Sequence, residues 1–289
     1  MKSIVVSKVG FVSMVLLILP GEVSLDRPFP TPEYLLAQRC RVGRTANPRG
    51  PEDALIPYVI SPRNTAVLSD RPSLHWNPIA GVDRYTVSVR NGDSVIWTKE
   101  VNTNIITYPA EMDALESGID YTLVIEAANG RSSTEEDTEL SFHLLPSTRA
   151  EVVRQAQSLF ASQATTEEAA LLQADFYTGS ELYSEAIDTL KILIETTQSP
   201  TIHRQLGDLY ARSSLYLWAE PRYLSAVSLA EEDLEEQARA QAALGELYVA
   251  IELNQEAVRW FTQAMESYKE LDNQFKVREL QERVANLSF

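Results

Sequence analysis

Histidines and the residues around them are the first place to look for chemistry in this sequence. His75 and His143 lie in stretches of alternating polarity and are expected to point to solvent, and His203 lies near the start of a helix-like stretch. None of the three is spaced to pair with a nucleophile or with another histidine, so neither a catalytic triad nor a metal site is predicted. No glycine-rich phosphate-binding motif occurs. We therefore predict a protein that is not an enzyme and has no cofactor.

Carboxylates are abundant, and their densest run is EEDLEE at residues 231–236. This run lacks the glycine turn and the spaced ligands of a calcium loop, which predicts a solvated face and a helix start instead. A hydrolase that uses a pair of carboxylates stays open as a minor alternative.

The single cysteine, Cys40, excludes an internal disulfide. It lies in a polar segment next to Arg39 and Arg41. A free thiol is expected, and a bridge to another molecule is the alternative.

Charge is unevenly distributed along the 289 residues, with a net charge of −16 for the whole chain. Residues 1–50 carry +4, residues 51–150 carry −8 and residues 151–289 carry −12. Binding to a nucleic-acid backbone needs clustered lysine and arginine, so the acidic body argues against a nucleic-acid partner.

The amino-terminal residues are typical of an export signal. Lys2 and Lys8 precede the apolar run GFVSMVLLIL at residues 10–19. This run is short for a bilayer span but suits a signal-peptide core. We predict a signal peptide at 1–24, a Pro- and Arg-rich linker at 25–54, and a periplasmic or extracellular protein. No A-x-A-like cleavage site follows cleanly, so an uncleaved anchor is the alternative and the only membrane contact expected.

Residues 55–147 show the alternation of polarity that is typical of β-strands. RYTVSVR at 84–90, DYTLVIEA at 120–127 and ELSFHLL at 139–145 each place apolar residues on one face, and Asn91-Gly92 is a strong hairpin signal. Short alternating strands separated by turns predict an antiparallel β-sandwich.

Within this region, Trp76 and the later Tyr121-x-Leu123-x-Ile125 pattern resemble the fibronectin type III and immunoglobulin-like sandwiches. The resemblance implies that Trp76 lies in the core and that Tyr121 hydrogen-bonds back to the preceding loop. The first strand is compressed relative to the family, which leaves the strand count open.

From residue 148 to 289 the polarity follows a helical period, and one motif recurs. LGDLY at 206–210 is followed by Ala219, Tyr223 and Ala226, and LGELY at 244–248 is followed at the same offsets by Ala257, Phe261 and Ala264. A weaker first unit contains Ala174, Tyr177, Ala186 and Leu190. This spacing resembles the tetratricopeptide repeat, which implies stacked pairs of helices.

The repeated small residues have a physical meaning in such an array. A glycine inside a helix costs about 1 kcal/mol relative to alanine. Gly207 and Gly245 are therefore expected where a second helix approaches closely. A last helix over residues 275–287 is expected to cap the stack.

The resemblance also implies binding residues, because the first helix of each pair lines a groove in this family. The positions that correspond are Asp175, Arg204, Asp208, Arg212, Arg239, Glu246 and Val249. Arg204, Asp208 and Arg212 share a helix face, which is consistent either with ion pairing on a wet surface or with arginine anchors for an acidic or mixed-charge peptide.

The fold class predicted is thus a mixed multidomain protein, with a fibronectin III-like sandwich at 55–147 and a helical-repeat array at 148–289. The predicted function is that of a non-catalytic scaffold of the cell envelope that binds a protein or peptide in the repeat groove. The alternative is a carbohydrate-binding or enzyme-accessory module that acts through the sandwich, for which Trp97 would be the exposed aromatic residue.

Overall fold

The structure is a computed structural model, and it describes residues 55–136, 140–161, 166–195 and 197–287. The predicted signal peptide at 1–24 and linker at 25–54, which includes Cys40, lie outside the described residues.

The first part of the described chain is made of short strands. In chain order they are β1 (Val59–Ser61), β2 (Thr65–Val67), β3 (Ser73–Trp76), β4 (Tyr85–Asn91), β5 (Ser94–Val101), β6 (Ile105–Thr107), β7 (Asp120–Ala127) and β8 (Phe142–Leu144). They form one sheet in the order β1-β3-β6 and a second in the order β2-β8-β7-β4-β5. We call these two sheets together the β-domain.

The two sheets share a core of buried apolar side chains. Trp76 of the smaller sheet is fully buried and packs edge-to-face on Tyr85 of the larger sheet, with ring centroids 5.7 Å apart. The Tyr121 hydroxyl accepts a hydrogen bond from the Glu116 backbone N–H at 2.8 Å, so the predicted bond back to the preceding loop is confirmed.

Two details of the predicted sheet arrangement are wrong. The pair β2–β8 is parallel rather than antiparallel. Trp97 is only 8% exposed, because it lies opposite Val89, whose side chain points into the core, and cross-strand partners share a face. Its ring packs on Tyr108 at 5.7 Å. Trp97 is therefore not an exposed platform for a sugar.

The rest of the described chain is helical. The helices are α1 (Ser147–Ala161), α2 (Glu167–Gly179), α3 (Tyr183–Ile194), α4 (Pro200–Arg212), α5 (Tyr216–Leu229), α6 (Leu234–Ala250), α7 (Asn254–Glu270) and α8 (Gln274–Leu287). Among the described residues, none of these helices has the length and apolar character that a membrane crossing needs.

Successive helices pair as the repeated motif predicts: α2 with α3, α4 with α5, and α6 with α7, and α8 packs on α7 through buried Val277 and Leu280. The predicted helical-repeat array and its closing helix are confirmed. We call α2–α8 the array.

The mid-helix glycines mark the closest approach within a pair. A Cβ added to Gly245 would lie 2.4 Å from the ring of Phe261, and one added to Gly207 would lie 2.6 Å from the ring of Tyr223. Phe261 is fully buried, so its ring has no free space to enter. The expected role of both glycines is confirmed.

A buried arginine joins the β-domain to the array. Arg63 lies between β1 and β2, is 1% exposed, and pairs with Glu136 at 2.7 Å. Its Nη1 donates to the Val59 carbonyl at 2.9 Å, and its Nε donates at 2.6 Å to the carbonyl of Ser213, in the turn between α4 and α5. One guanidinium therefore connects β1, the segment before β8 and the array.

Replacing Gly245 with alanine should destabilise the array. The added methyl group collides with a ring that has no room to move, at a cost of about 1–3 kcal/mol that exceeds the gain of about 1 kcal/mol in helix propensity. Gly179→Ala is the matched control, because no atom lies within 4 Å of its added Cβ. Urea unfolding should show a lower midpoint for G245A and an unchanged or higher one for G179A. A midpoint for G245A at or above that of the wild type would refute the close approach.

Removing the charge of Arg63 should destabilise the protein more than Gly245→Ala does. Arg63→Met leaves the Glu136 carboxylate buried without its cation, for which a loss of about 3–5 kcal/mol in the free energy of unfolding is expected. The double variant Arg63→Met/Glu136→Leu should recover part of that loss, measured by chemical denaturation of both. A double variant no more stable than R63M would show that the two side chains are not coupled.

Candidate functional site

The sequence-predicted binding residues all lie on the first helices of the three pairs. Asp175 is on α2. Arg204, Asp208 and Arg212 are on α4, and Arg239, Glu246 and Val249 are on α6. We call these seven residues the first-helix surface. No observation tests whether they bind a partner, so their role stays a prediction, but the structure shows what each one contacts.

Arg204 is at the centre of this surface and is already engaged. Its Nη1 lies 2.7 Å from Asp208 Oδ2, and its Nε donates to Glu236, at the start of α6. Only 16% of its side chain is exposed. Burial acts to lower the Arg204 pKa, but the charges of Asp208 and Glu236 outweigh it and the pKa is raised. Arg204 therefore ties α4 to α6 as a permanent cation.

Asp208 has a second partner from within its own helix pair. The Tyr223 hydroxyl of α5 donates to Asp208 Oδ1 at 2.9 Å. Burial raises the pKa of Asp208, while Arg204 and Tyr223 oppose that rise. The equivalent of Tyr223 in the next pair is Phe261, which has no hydroxyl, so Glu246 must find its partner elsewhere.

Glu246 is held by the closing helix. Arg283 of α8 donates from Nε to one carboxylate oxygen at 2.8 Å and from Nη2 to the other at 2.6 Å. The hydrogen bond to Glu246 raises the Arg283 pKa. Both side chains are about half exposed, so this bidentate pair positions α8 and contributes only modestly to stability.

The acidic run at 231–236 divides into separate structural roles. The Asp233 side chain caps α6 by accepting from the Glu236 backbone N–H at 3.0 Å. Glu235 pairs with Arg239. Glu236 is 4% exposed and lies between Arg204 and Arg239. The predicted helix start is confirmed. The prediction of a solvated face is wrong for Glu236, because its side chain is buried where it pairs with Arg204.

Three residues of the surface remain accessible. The Arg212 side chain is exposed, and within the described residues it forms no ion pair. Asp175 is exposed and receives only a 3.4 Å contact from Gln205 Nε2. Val249 is half-buried. A partner at this surface would thus meet Arg212, Asp175 and Val249 without first breaking an ion pair.

Sequence reasoning missed the residues that hold this surface together: Glu236, Tyr223 and Arg283. The repeat register could have found Tyr223, since it is the bulky residue of the second helix that faces Gly207 and Asp208. It gave no signal for Arg283, which lies 37 positions after Glu246 in a helix outside the repeats. Two further buried polar pairs join successive helices, Tyr248 with Glu220 and Ser267 with Gln241.

The histidines lie apart, in different surroundings. His203 is half-buried, and burial followed by the charge of Arg222 lowers its pKa to about 4. His75 does not point to solvent as predicted. It is half-buried beside Asn104, and burial and then Lys191 of α3 lower its pKa. His143 lies 3.8 Å from Asp120. In the described ranges, no three His, Cys, Asp or Glu side chains gather as a metal site would require.

A cavity of about 510 Å³ lies beside β4, β5 and β7. It is lined by polar side chains that include Arg84 and Glu100, and these two form an exposed ion pair at 3.0 Å. Tyr85 is the one aromatic residue among the described residues that line it, and its ring points into the core. The described lining of the cavity therefore offers no stacking surface for a sugar ring.

The comparisons with known proteins concern about half of the chain. No protein-family model matches it, and no curated protein gives a significant match. Among solved structures, BtubC (BKLC) from P. vanneervenii is 17% identical with a TM-score of 0.39, over 48% of this chain and 63% of that one, less than two thirds of its length.

Two further structures are similar over a comparable share. MamA is 17% identical with a TM-score of 0.32, over 47% of this chain and 85% of that one. YrrB, described as a TPR protein with an unusual peptide-binding site, is 18% identical with a TM-score of 0.30, over 49% of this chain and 80% of that one. All three TM-scores are below 0.5.

Replacing Arg204, which is paired, should destabilise the protein more than replacing Arg212, which is accessible. Arg204→Gln removes the cation that pairs with Glu236 and Asp208. It should therefore reduce the free energy of unfolding by about 1–3 kcal/mol. Arg212→Gln removes the same charge from an exposed side chain of the same helix and should change it by no more than about 0.5 kcal/mol. Urea unfolding of both variants measures the difference. Equal losses would mean that the Arg204 bridge does not hold α4 to α6.

Proposed function

We propose that this protein is a non-catalytic scaffold that binds a protein or peptide along the first-helix surface. The observation that carries the proposal is the series of polar contacts that joins the first helices α2, α4 and α6 to one another and to the closing helix α8: Gln205 to Asp175, Arg204 to Glu236, and Arg283 to Glu246. These contacts align α2, α4, α6 and α8 as one extended surface. Such surfaces, built by stacked repeats, are suited to an elongated partner.

We further propose that the array is of the tetratricopeptide kind and that the β-domain is of the fibronectin type III kind. The first proposal rests on the matching offsets of LGDLY and LGELY and on the glycine contacts with Tyr223 and Phe261. The second rests on the strand order of the two sheets and on the Tyr121 hydrogen bond. In this proposal the β-domain is a rigid spacer or a second docking surface.

The proposed location is the periplasm or the cell exterior, and the array would act in the envelope. This part of the proposal rests on the positive start and the apolar run at residues 10–19. The alternative of a carbohydrate-binding module is not favoured, because Trp97 is buried and the described residues that line the cavity beside β4 present no exposed aromatic ring.

Affinity capture with the full chain tests the proposed function. A partner bound through the first-helix surface should be retained by the wild type and lost, by about tenfold or more in affinity, with Arg212→Glu, which reverses an accessible charge without breaking an ion pair. Arg259→Glu is the control for the second helices, because it makes the same charge reversal on α7, where Arg259 is 69% exposed, and it also removes the exposed ion pair of Arg259 with Glu256 at 2.8 Å.

Equal capture by the wild type and both variants would rule out a role for Arg212 in binding. Loss with R259E but not with R212E would move the binding surface to the second helices. Circular dichroism of each variant is needed to show that the helices are intact.

A further inference from the structure

One position of the second helices is charged in the middle pair and apolar in the other two. The residue that follows the first repeated alanine of the second helix is Ile187 in the first pair and Val258 in the third. In the second pair it is Glu220, which is only 4% exposed. A buried carboxylate at a repeated apolar position departs from the pattern of the array. Such departures are expected where a residue does more than pack.

Glu220 lies where the second pair of helices meets the third, and we call this contact the seam. The Tyr248 hydroxyl of α6 donates a hydrogen bond to Glu220 Oε1 of α5. A second polar contact across the seam is the ion pair of Arg204 with Glu236. Arg204 is a permanent cation, so its charge does not change with pH in the neutral range. The contact of Glu220 with Tyr248, in contrast, depends on a carboxyl group that can gain or lose a proton.

The carboxyl group of Glu220 has no cation to compensate it. Its contacts in the described ranges include no ion pair with a Lys, Arg or His side chain. Arg259, on α7, pairs instead with Glu256 at 2.8 Å. Arg222 lies two residues further along α5 and therefore on another side of that helix, where its charge acts on Tyr210.

The groups around Glu220 favour its protonated form. Burial raises the pKa of Glu220 above its ordinary value of 4.5, the hydrogen bond from Tyr248 opposes that rise, and the negative charge of Glu256 adds to it. Burial and the charge of Glu220 also raise the pKa of Tyr248, which therefore stays a hydroxyl donor. The charged residues of α4 lie on the first-helix surface, where Arg204 and Asp208 pair with each other.

We propose that the seam is a pH-sensitive joint, which is closed while Glu220 carries a proton and loosens as rising pH removes it. With its proton, Glu220 is an uncharged carboxylic acid that accepts a hydrogen bond from Tyr248. Without the proton, a carboxylate remains buried with one hydroxyl donor and no cation, and it can reach water only if α5 and α6 separate. The joint belongs to the array itself, so it does not depend on partner binding at the first-helix surface.

The direction of the pH dependence follows from the burial of Glu220. The pKa of this group is higher in the folded protein than the 4.5 expected for the unfolded chain, so the folded protein binds the proton more tightly. The resulting stabilisation is complete below pH 4.5 and is lost as the pH rises through the folded value. Arg212 of α4 and Val249 of α6 lie on opposite sides of the seam, so its state affects the spacing of two accessible residues.

Urea unfolding of the full chain at several pH values tests the joint. Glu220→Gln keeps the size of the side chain and the acceptor for Tyr248 but cannot ionise. The midpoint of the wild type should lie close to that of E220Q at about pH 5.5 and fall increasingly below it towards about pH 8.5. Glu220→Val, which introduces the residue type of the third pair, should remove the same pH-dependent loss.

Glu266→Gln is the matched control, because it removes an exposed carboxylate from α7. The difference between E266Q and the wild type should not change with pH. Midpoints of the wild type, E220Q and E220V that follow parallel pH profiles would overturn the proposal.

Hydrogen exchange shows where the loss of stability occurs. At about pH 8.5, amides at 245–250 should exchange about fivefold or more faster in the wild type than in E220Q, and amides at 186–190 of the first pair should exchange equally. At about pH 5.5 the two proteins should be equal at both places. Comparison at one pH removes the effect of pH on the chemical exchange rate. Equal rates at 245–250 at both pH values would contradict the joint, and so would an equal acceleration at 186–190.

Discussion

The burial of Arg63 is the constraint on which the arrangement of this protein depends. A guanidinium removed from water is tolerated only where nearly every donor finds an acceptor. Here the acceptors come from three places: β1, the segment before β8, and the turn between α4 and α5 of the array. Burial raises the pKa of Glu136 and Arg63 opposes that rise, so each charge is tolerable only because the other is present. The β-domain cannot rotate on the array without exposing or orphaning this pair, which fixes the orientation of one on the other.

The array could be predicted from the sequence because its determinants are local and repeated. A glycine inside a helix has no local benefit, so its recurrence at Gly207 and Gly245, with a bulky residue at a fixed offset, predicted a close approach between helices. The structure shows this approach, since Gly207 lies against the ring of Tyr223 and Gly245 against the ring of Phe261. The sheets were predictable for a similar reason, since alternation in β4 and β7 reports which face is buried. Both signals depend on neighbours within one element or one repeat.

The contacts that join elements were not predictable, because no local pattern encodes them. Arg63 and Ser213 lie 150 positions apart, and nothing around Arg63 separates it from a surface arginine. Glu236 belongs to a run of acidic residues, and such a run predicts exposure to solvent. It is buried because it pairs with Arg204 on the neighbouring helix. Trp97 was misassigned because β5 alternates imperfectly, and its face is decided by its pairing with Val89 across the hairpin.

The candidate site shows the same division between local and distant causes. The repeat register brings seven residues to one surface, but it does not say which of them are available. Arg204, Asp208, Arg239 and Glu246 are occupied by one another or by Glu235, Glu236, Tyr223 and Arg283. A partner that recruited Arg204 would have to leave the buried Glu236 uncompensated, which costs more than a new ion pair at the surface returns. Discrimination between partners should therefore depend on Arg212, Asp175 and Val249, while the paired charges keep the helices that present them in register.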